Sequence, residues 1–443
     1  TYATPTTEQT VENNSQQLPA EWTLQDCIDY ALEQNITLRK SRINAESTAV
    51  DVKTAKAALF PSLSFSTSQN MVYRPYQESS STVSGTEILR SNSKTSYNGN
   101  YGLNAQWTVY NGSKRLKTIE QEKLNNRVAE LDVATSEKNI EESITQTYVQ
   151  ILYAAESVKV NESTLAVSEA QCDRGKELLA AGSLSKADLA QLEAQVSTDR
   201  YQLVTAQTTL QNYKLQLKQL LELDGEEEMN LYLPALDNSK VLSPLPTKTD
   251  VYHAALAVRP EIESGKLNIQ ASELNIDIAR AGYMPSVSLS AGIGTNNTSG
   301  SDFTFAQQVK NGWNNSLGLS ISVPIFNNRQ TKSAVQKAKL QRETSMLNLL
   351  DEQKTLYKTI EGLWLDANSA QQRYVAAQEK LRSTQTSFDL VSAQFNLGMK
   401  NTVELLTEKN NLLSAQQETL QAKYMAILNA QLLKFYQGGD IEL

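Results

Sequence analysis

Histidine and cysteine are nearly missing from this chain of 443 residues: His253 stands alone, and the two cysteines, Cys27 and Cys172, have neither CxxC nor any other metal-like spacing. Without a second histidine, or one near a nucleophile, hydrolytic and metal-dependent sites have little to be built from, so no metal and no cofactor is expected. Each cysteine reads as a small buried apolar residue. A basic surplus is missing too, with 41 Lys and Arg against 49 Asp and Glu and a net charge of −8. Phosphate contacts need a basic face, which leaves a nucleic-acid partner unexpected. No run approaches the ~20 consecutive apolar residues of a membrane-spanning helix. No signal peptide is evident, and Thr1 stands where methionine would, which reads as a processed or trimmed N-terminus. Residues 1–20 are polar, hold Pro5 and Pro19, and read as a disordered tail.

What the chain does hold is a repeated stretch. Residues 55–66 read Ala-Lys-Ala-Ala-Leu-Phe-Pro-Ser-Leu-Ser-Phe-Ser, and residues 279–290 read Ala-Arg-Ala-Gly-Tyr-Met-Pro-Ser-Val-Ser-Leu-Ser. At Pro61 and Pro285 each copy passes from helical composition to strict alternation of serine with an apolar residue. Proline lacks the N–H and clashes with the preceding turn, so a helix ends there and a strand begins. The offset 285 − 61 = 224 also pairs Ala31-Leu32 with Ala255-Leu256, Leu38 with Ile262, and Val52 with Ile276. Further on it falls to 216, pairing Leu103 with Leu319, Trp107 with Val323, Tyr110 with Phe326 and Gly182 with Gly398, so a loop has lost 224 − 216 = 8 residues. A twofold internal repeat this long predicts two copies of one elongated unit, with chemistry at matching positions.

The expected organisation is a first repeat over 21–222, a Pro-broken linker over 223–246, a second repeat over 247–437 and a short tail over 438–443. The first repeat reads as helices over 22–60, a β-hairpin over 61–110, a long helix over 113–181 and a returning helix over 184–222. The second reads as helices over 249–284, a hairpin over 285–326, a long helix over 329–397 and a returning helix over 402–437. Thr23 is placed to cap the first helix, whose Leu24, Ile28, Ala31 and Leu32 share a face. In the strands, Leu63 and Phe65, Leu103 and Trp107, Val287 and Leu289, and Leu319, Ile321, Val323 and Ile325 alternate with small or polar residues. Apolar-out, polar-in alternation is that of a membrane barrel strand, although an ordinary half-buried strand alternates in the same way. The stretches 73–95 and 296–315 are rich in Ser, Thr, Asn and Gly and read as exposed hairpin loops. Each long helix runs without proline for about 69 residues, roughly 100 Å at 1.5 Å per residue. Ile144, Tyr148, Ile151, Ala155 and Val158 step by 4, 3, 4 and 3, which is coiled-coil spacing. Such a rod needs lateral partners, here a stacked pair of shorter helices.

These features together resemble the TolC-like outer-membrane efflux proteins. The motifs are residues 24–35 followed by Leu38, the Ala-x-Ala-x-x-Phe-Pro-Ser-Leu-Ser turn, and Gly182 or Gly398 followed six residues later by Asp188-Leu189 or Glu404-Leu405-Leu406. The resemblance covers residues 22–437 in both repeats and in order. It implies a mainly α chain with a β-barrel portion: a long antiparallel coiled-coil tunnel, and four strands per chain contributing to a trimeric twelve-stranded barrel in the outer membrane. Independently, four strands leave two open edges, which a bilayer forbids, and about eight is the fewest strands in a membrane barrel. The implied function is a passive exit duct of a tripartite efflux or type I secretion system, taking solute from a periplasmic adaptor and an inner-membrane pump.

By the same resemblance the adaptor docks at the tips, Ala181, Gly182 and Ser183 in one repeat and Leu397, Gly398 and Met399 in the other. Asp188, Glu404, Phe395 and Lys400 occupy the family's gate positions, and Thr407 stands where a second acidic residue is expected. Glu404 is expected to point inward as a threefold ring, and Asp188 to face a neighbouring helix where Lys400 or another donor pairs with it. Leu63, Phe65, Leu103, Trp107, Val287, Leu289, Leu319 and Ile321 are expected to face outer-membrane lipid. A rival reading of Asp188 and Glu404 is that each merely favours the start of its helix by charge–dipole attraction. Rival classes for the whole chain are a trimeric coiled-coil adhesin, which would not place alternating strands midway through a twofold repeat, and a pore-forming toxin, which would be secreted as a soluble monomer. An enzyme is the weakest class.

Overall fold

The computed structural model describes residues 20–76, 80–84, 87–91, 94–223, 229–234 and 238–441. The expected tail over 1–20 therefore lies outside the described residues except for Ala20, as do parts of the linker and the last two residues. In order the elements are α1 (Leu24–Gln34), α2 (Ile36–Ala57), β1 (Ser62–Tyr73), β2 (Ser80–Ser84), β3 (Glu87–Ser91), β4 (Thr95–Asn111), α3 (Lys114–Ala180) and α4 (Lys186–Leu220). They continue as α5 (Asn238–Val241), α6 (Lys248–Val258), α7 (Pro260–Arg280), β5 (Ser286–Thr298), α8 (Phe305–Asn311), β6 (Asn314–Ser322), α9 (Gln330–Asn396) and α10 (Thr402–Tyr436). The long helices α3 and α9 have 67 residues each, and α4 and α10 have 35 each.

Local chemistry sets the boundaries. Thr23 starts α1 with a capping box: its Oγ1 accepts from Asp26 N at 3.2 Å, and Asp26 Oδ2 accepts from Thr23 N at 3.0 Å. Asn35 breaks α1 from α2, its Oδ1 accepting from Thr37 N and Leu38 N while its Nδ2 donates to the carbonyl of Leu220. The repeat-equivalent break is Arg259-Pro260 (259 − 35 = 224), where proline opens α7 at a position whose N–H needs no partner. After α2, Arg115 donates to the carbonyls of Ala58 and Thr108 and Trp107 Nε1 donates to that of Leu59, tying the Pro61 turn to β4. At Pro285 the turn is a short 3₁₀ segment, Ala281–Tyr283, whose Gly282 carbonyl accepts from Thr331.

The chain divides into two compact units, and each draws on both halves of the sequence. One takes the chain up to Arg42, Asp132–Ile262 and Asp351 onward; the other takes Ile43–Leu131 and Glu263–Leu350. The packing units are therefore not the two halves expected from the sequence, because an amphipathic rod must bury its stripe against a partner and the partners come from the other half. The first unit's core gathers Trp22, Cys27, Leu38, Ile144, Tyr148, Ile151, Leu217, Leu221, Val241, Tyr374 and Ile427. The coiled-coil positions Ile144, Tyr148, Ile151 and Ala155 are all buried. Part of the linker is built into this core: Trp22 N donates to Asn230 O and Tyr232 N to Trp22 O, at 2.8 and 2.9 Å, and Tyr148 donates its hydroxyl to the Tyr232 carbonyl.

Both cysteines are free and buried, Cys27 in this core and Cys172 in a separate cluster. Burial, with the Asp26 charge adding to it, pushes the Cys27 thiol up to about 12, so the reactive thiolate is suppressed. Native protein is expected to take up no maleimide and both sites to label after denaturation. An oxidised monomer of altered mobility would contradict it.

The second unit holds a four-stranded antiparallel sheet in the order β1-β4-β5-β6. The hairpin connections differ from the expected plain loops. Residues 73–95 include the separate pair β2–β3, and residues 296–315 include α8, begun by a capping box between Thr304 and Gln307. The last strand stops at Ser322, short of the expected 326, because Pro324 supplies no ladder donor. Val323, Ile325 and Phe326 thus lie beyond it, exposed.

Candidate functional site

The register gives the sheet two unlike faces. Phe65 pairs with Leu103 and Leu103 with Ile293; Leu63 pairs with Ala105, Ala105 with Ala291 and Ala291 with Leu317. Trp107 pairs with Leu289, Leu289 with Leu319, and Val287 with Ile321. Directly paired residues share a face, so all eight barrel residues singled out in the sequence lie on one side. Ser64, Asn104, Gly292 and Ser316 form a row of the other, and Gln106, Ser290 and Gly318 another. No residue in β1, β4, β5 or β6 is charged. Leu63, Phe65, Leu319 and Ile321 are each more than 60% exposed, and an apolar face this continuous marks contact with lipid or protein. Along β4, Trp107 and Tyr101 bracket it six residues apart, about 20 Å at 3.4 Å per residue, close to the ~25 Å band of a membrane barrel and its aromatic girdles. A bulge between Thr108 and Tyr110 ends the alternation beneath it.

In the first unit, two helix hairpins turn at Gly182 and Gly398. Both glycines are left-handed, at φ +76° and +74°. Ser183 N reaches Leu178 O at 2.8 Å and Met399 N reaches Gln394 O at 2.9 Å, while each glycine N–H closes the inner ring, which is the Schellman arrangement. A Cβ would meet open space at either glycine, so the requirement is for the backbone angle alone. Ser185 then caps α4, accepting from Asp188 N at 3.0 Å, and Asn401 caps α10, accepting from Glu404 N at 2.9 Å. Asp188 and Glu404 are thus both third residues of their helices, where a carboxylate meets the positive end of the helix dipole. Ala181, Gly182 and Ser183 are exposed, as are Leu397, Gly398 and Met399.

The structure separates the expected gate residues. Lys400 donates to Glu404, one helical turn away, and not to Asp188, whose carboxylate accepts from Ser185 Oγ at 2.6 Å. Within the chain, therefore, Lys400 is not the donor that meets Asp188: Lys400 makes an i,i+4 pair with Glu404 and Asp188 bonds its own cap residue, each the nearest partner. Phe395 is 3% exposed and packs with Cys172, Leu192, Phe388, Leu405 and Leu412, so it belongs to the tip's core and is not free to line a passage. Thr407 is exposed and donates to Val403 O at 2.8 Å. The Glu404 carboxyl lies below its ordinary range, first through the Lys400 hydrogen bond and then through the Asn401 N–H.

Sequence reasoning missed a buried polar network in the same helices. Lys409 of α10 donates to Ser168 of α3 and Asp199 of α4, Ser168 donates to Asp199, and Gln195 Nε2 donates to the other Asp199 oxygen at 2.9 Å. All three of Lys409, Asp199 and Ser168 are at most 3% exposed. A signal existed: Thr402, Leu405, Lys409 and Leu412 step by 3, 4 and 3, and Leu192, Val196, Asp199 and Leu203 step by 4, 3 and 4, placing opposite charges on two apolar stripes.

A family model described as "Outer membrane efflux protein" matches residues 27–222 and 251–439. "Toxin and drug export protein A" of Aggregatibacter actinomycetemcomitans is 22% identical over 426 residues, covering 96% of this chain and 88% of that protein. "Outer membrane protein TolC" of Escherichia coli K12 is 22% identical, covering 91% of this chain and 80% of that protein. A crystal structure of CusC superposes with a TM-score of 0.78 at 20% identity, covering 95% of this chain and 93% of that one.

Proposed function

The chain belongs to the outer membrane efflux protein family, an assignment that places it in the Gram-negative outer membrane, and from there we propose that three copies form one passive exit duct. In this reading the sequence is a twofold repeat whose two hairpins supply four strands per chain, and twelve strands close around a lumen wide enough for solutes. The observation that carries it is the sheet: four strands with open edges at β1 and β6, one face apolar and exposed, the other uncharged and polar. A bilayer cannot satisfy an open edge, and more copies of the same sheet can. The exposed tips, Ala181 to Ser183 and Leu397 to Met399, receive a periplasmic adaptor, which links the duct to an inner-membrane pump. Detergent-extracted protein should run as a heat-labile trimer that conducts in planar bilayers; a non-conducting soluble monomer would favour the toxin reading.

Glu404 is the proposed gate carboxylate, three copies gathered about the axis, with Asp188 serving as a cap. Lys400 tethers each Glu404, so Lys400→Met should strengthen block by multivalent cations at neutral pH and Glu404→Ala should weaken it. Because the Glu404 value is depressed in the folded chain, the tether is fully present above the ordinary carboxylate value and is lost as pH falls through the depressed one. Block unaltered in both variants would remove Glu404 from the passage.

A further inference from the structure

Across β1, β4, β5 and β6 the polar face presents only hydroxyl, amide and glycine positions, apart from Val72, and no fixed charge. Charge lies only beyond the strand ends: Lys114 and Arg115 follow β4, Asp302 and Lys310 lie in the β5–β6 connection, and two cations come next on this face where β1 runs out and β4 begins. Arg74 N donates to Lys94 O at 2.7 Å, continuing the register beyond Tyr73 and Thr95, so Arg74 and Lys94 stand directly opposite each other. Arg74 lies on the polar face, because its Nη1 donates to Ser96 Oγ, and Ser96 in turn reaches Val72 O across the ladder. Both side chains are exposed, and among the described residues neither has a carboxylate partner. Like charges directly opposite on antiparallel strands destabilise the pair, so local stability does not account for placing two cations there. The end concerned is the one away from the helix-to-strand turns at Pro61 and Pro285, hence the outer end of the barrel proposed above.

We propose that Arg74 and Lys94 form a cationic collar inside the outer mouth of the duct, six cations in the trimer, that draws in anionic solutes carrying phosphate or comparably dense negative charge. The inference rests on the trimeric-duct reading. Its chemistry is charge complementarity: an anion between the guanidinium and the ammonium relieves their repulsion, and the uncharged wall beneath contributes no competing field. The opposite balance of the whole chain, −8, makes a local cationic collar a distinct feature and not a consequence of composition.

The test uses the full chain in planar bilayers of neutral phosphatidylcholine, with inorganic tripolyphosphate added to either side. Block should be stronger from the side of the sheet's outer end and should weaken about tenfold or more in the Arg74→Ser/Lys94→Ser double variant. Equal block of both proteins, or no block of a conducting wild-type channel, would overturn the collar. Tripolyphosphate binding to detergent-solubilised protein is measured alongside, because it does not depend on conduction. If the protein fails to conduct yet binds tripolyphosphate, and the double variant loses that binding, the duct reading falls while the anion site stands; unchanged binding removes the site. Vesicles containing phosphatidylglycerol separate the other source of the same chemistry: a double variant impaired only in vesicle binding would assign the pair to lipid headgroups and overturn the solute assignment.

Discussion

Lys409→Met is expected to destabilise the packing of α10 against α3 and α4 by about 3–5 kcal/mol, the usual consequence of removing one partner of a buried ion pair. The substitution leaves Asp199, 2% exposed, with a charge satisfied only by Ser168 and Gln195. Burial already pushes the Lys409 ammonium below its ordinary value, so desolvation weighs heavily at this position. The double variant Lys409→Met/Asp199→Leu should recover most of the loss, because apolar side chains of similar volume in place of a buried pair are often neutral or stabilising. Limited proteolysis of the folded protein, read as cleavage within α10 and α4, separates these cases. A single variant as resistant as the wild type would show that the network carries no such energy.

Leu103→Arg and Leu319→Arg should each cost about 2–4 kcal/mol of barrel stability per chain if those positions face the bilayer midplane. Asn104→Arg and Ser320→Arg, one residue along the same strands, should cost far less, since a one-residue step moves the side chain to the polar face. Yield of heat-labile folded protein from outer membranes is the readout. In the proposed trimer the effect is multiplied because one sequence change enters three times. Equal yields from all four variants would contradict the assigned register.

The strand faces were legible in the sequence because a period of two, repeated in four segments, leaves only one consistent set of inward and outward positions. Leu63, Phe65, Leu103, Trp107, Val287, Leu289, Leu319 and Ile321 all fell on one side. The start of α1 and the helix-to-strand turns were legible for a similar reason, since Thr23, Pro61 and Pro285 each act through their own backbone neighbourhood. What composition concealed depends on non-local partners. The pair β2–β3 is built from a Ser- and Thr-rich run that also suits a loop, and α8 is only seven residues long. The division into units could not be read from the order of the chain, because each unit packs together segments that lie in both halves of the sequence. At the tips, Lys400 was misassigned since an acceptor one turn away, Glu404, outcompetes one on another helix. Phe395 was misread for the opposite reason: an aromatic residue near a turn suits both a constriction and a core, and only the surrounding Phe388, Leu405 and Leu412 decide.

The central claim, that copies of this sheet close on one another, is tested most directly across its two edges. In one chain β1 and β6 are separated by β4 and β5, so cysteines placed on them can meet only between neighbouring copies. In a Cys27→Ser/Cys172→Ser background, Ser62→Cys, Ser64→Cys and Ser66→Cys are each combined with Ser316→Cys, Ser320→Cys and Ser322→Cys and oxidised in outer membranes. The account predicts that at least one combination yields covalent species ending at the mass of three chains, reverting to monomer on reduction. Products confined to monomer and dimer in every combination, or a ladder running past three, would contradict a closed barrel of three copies.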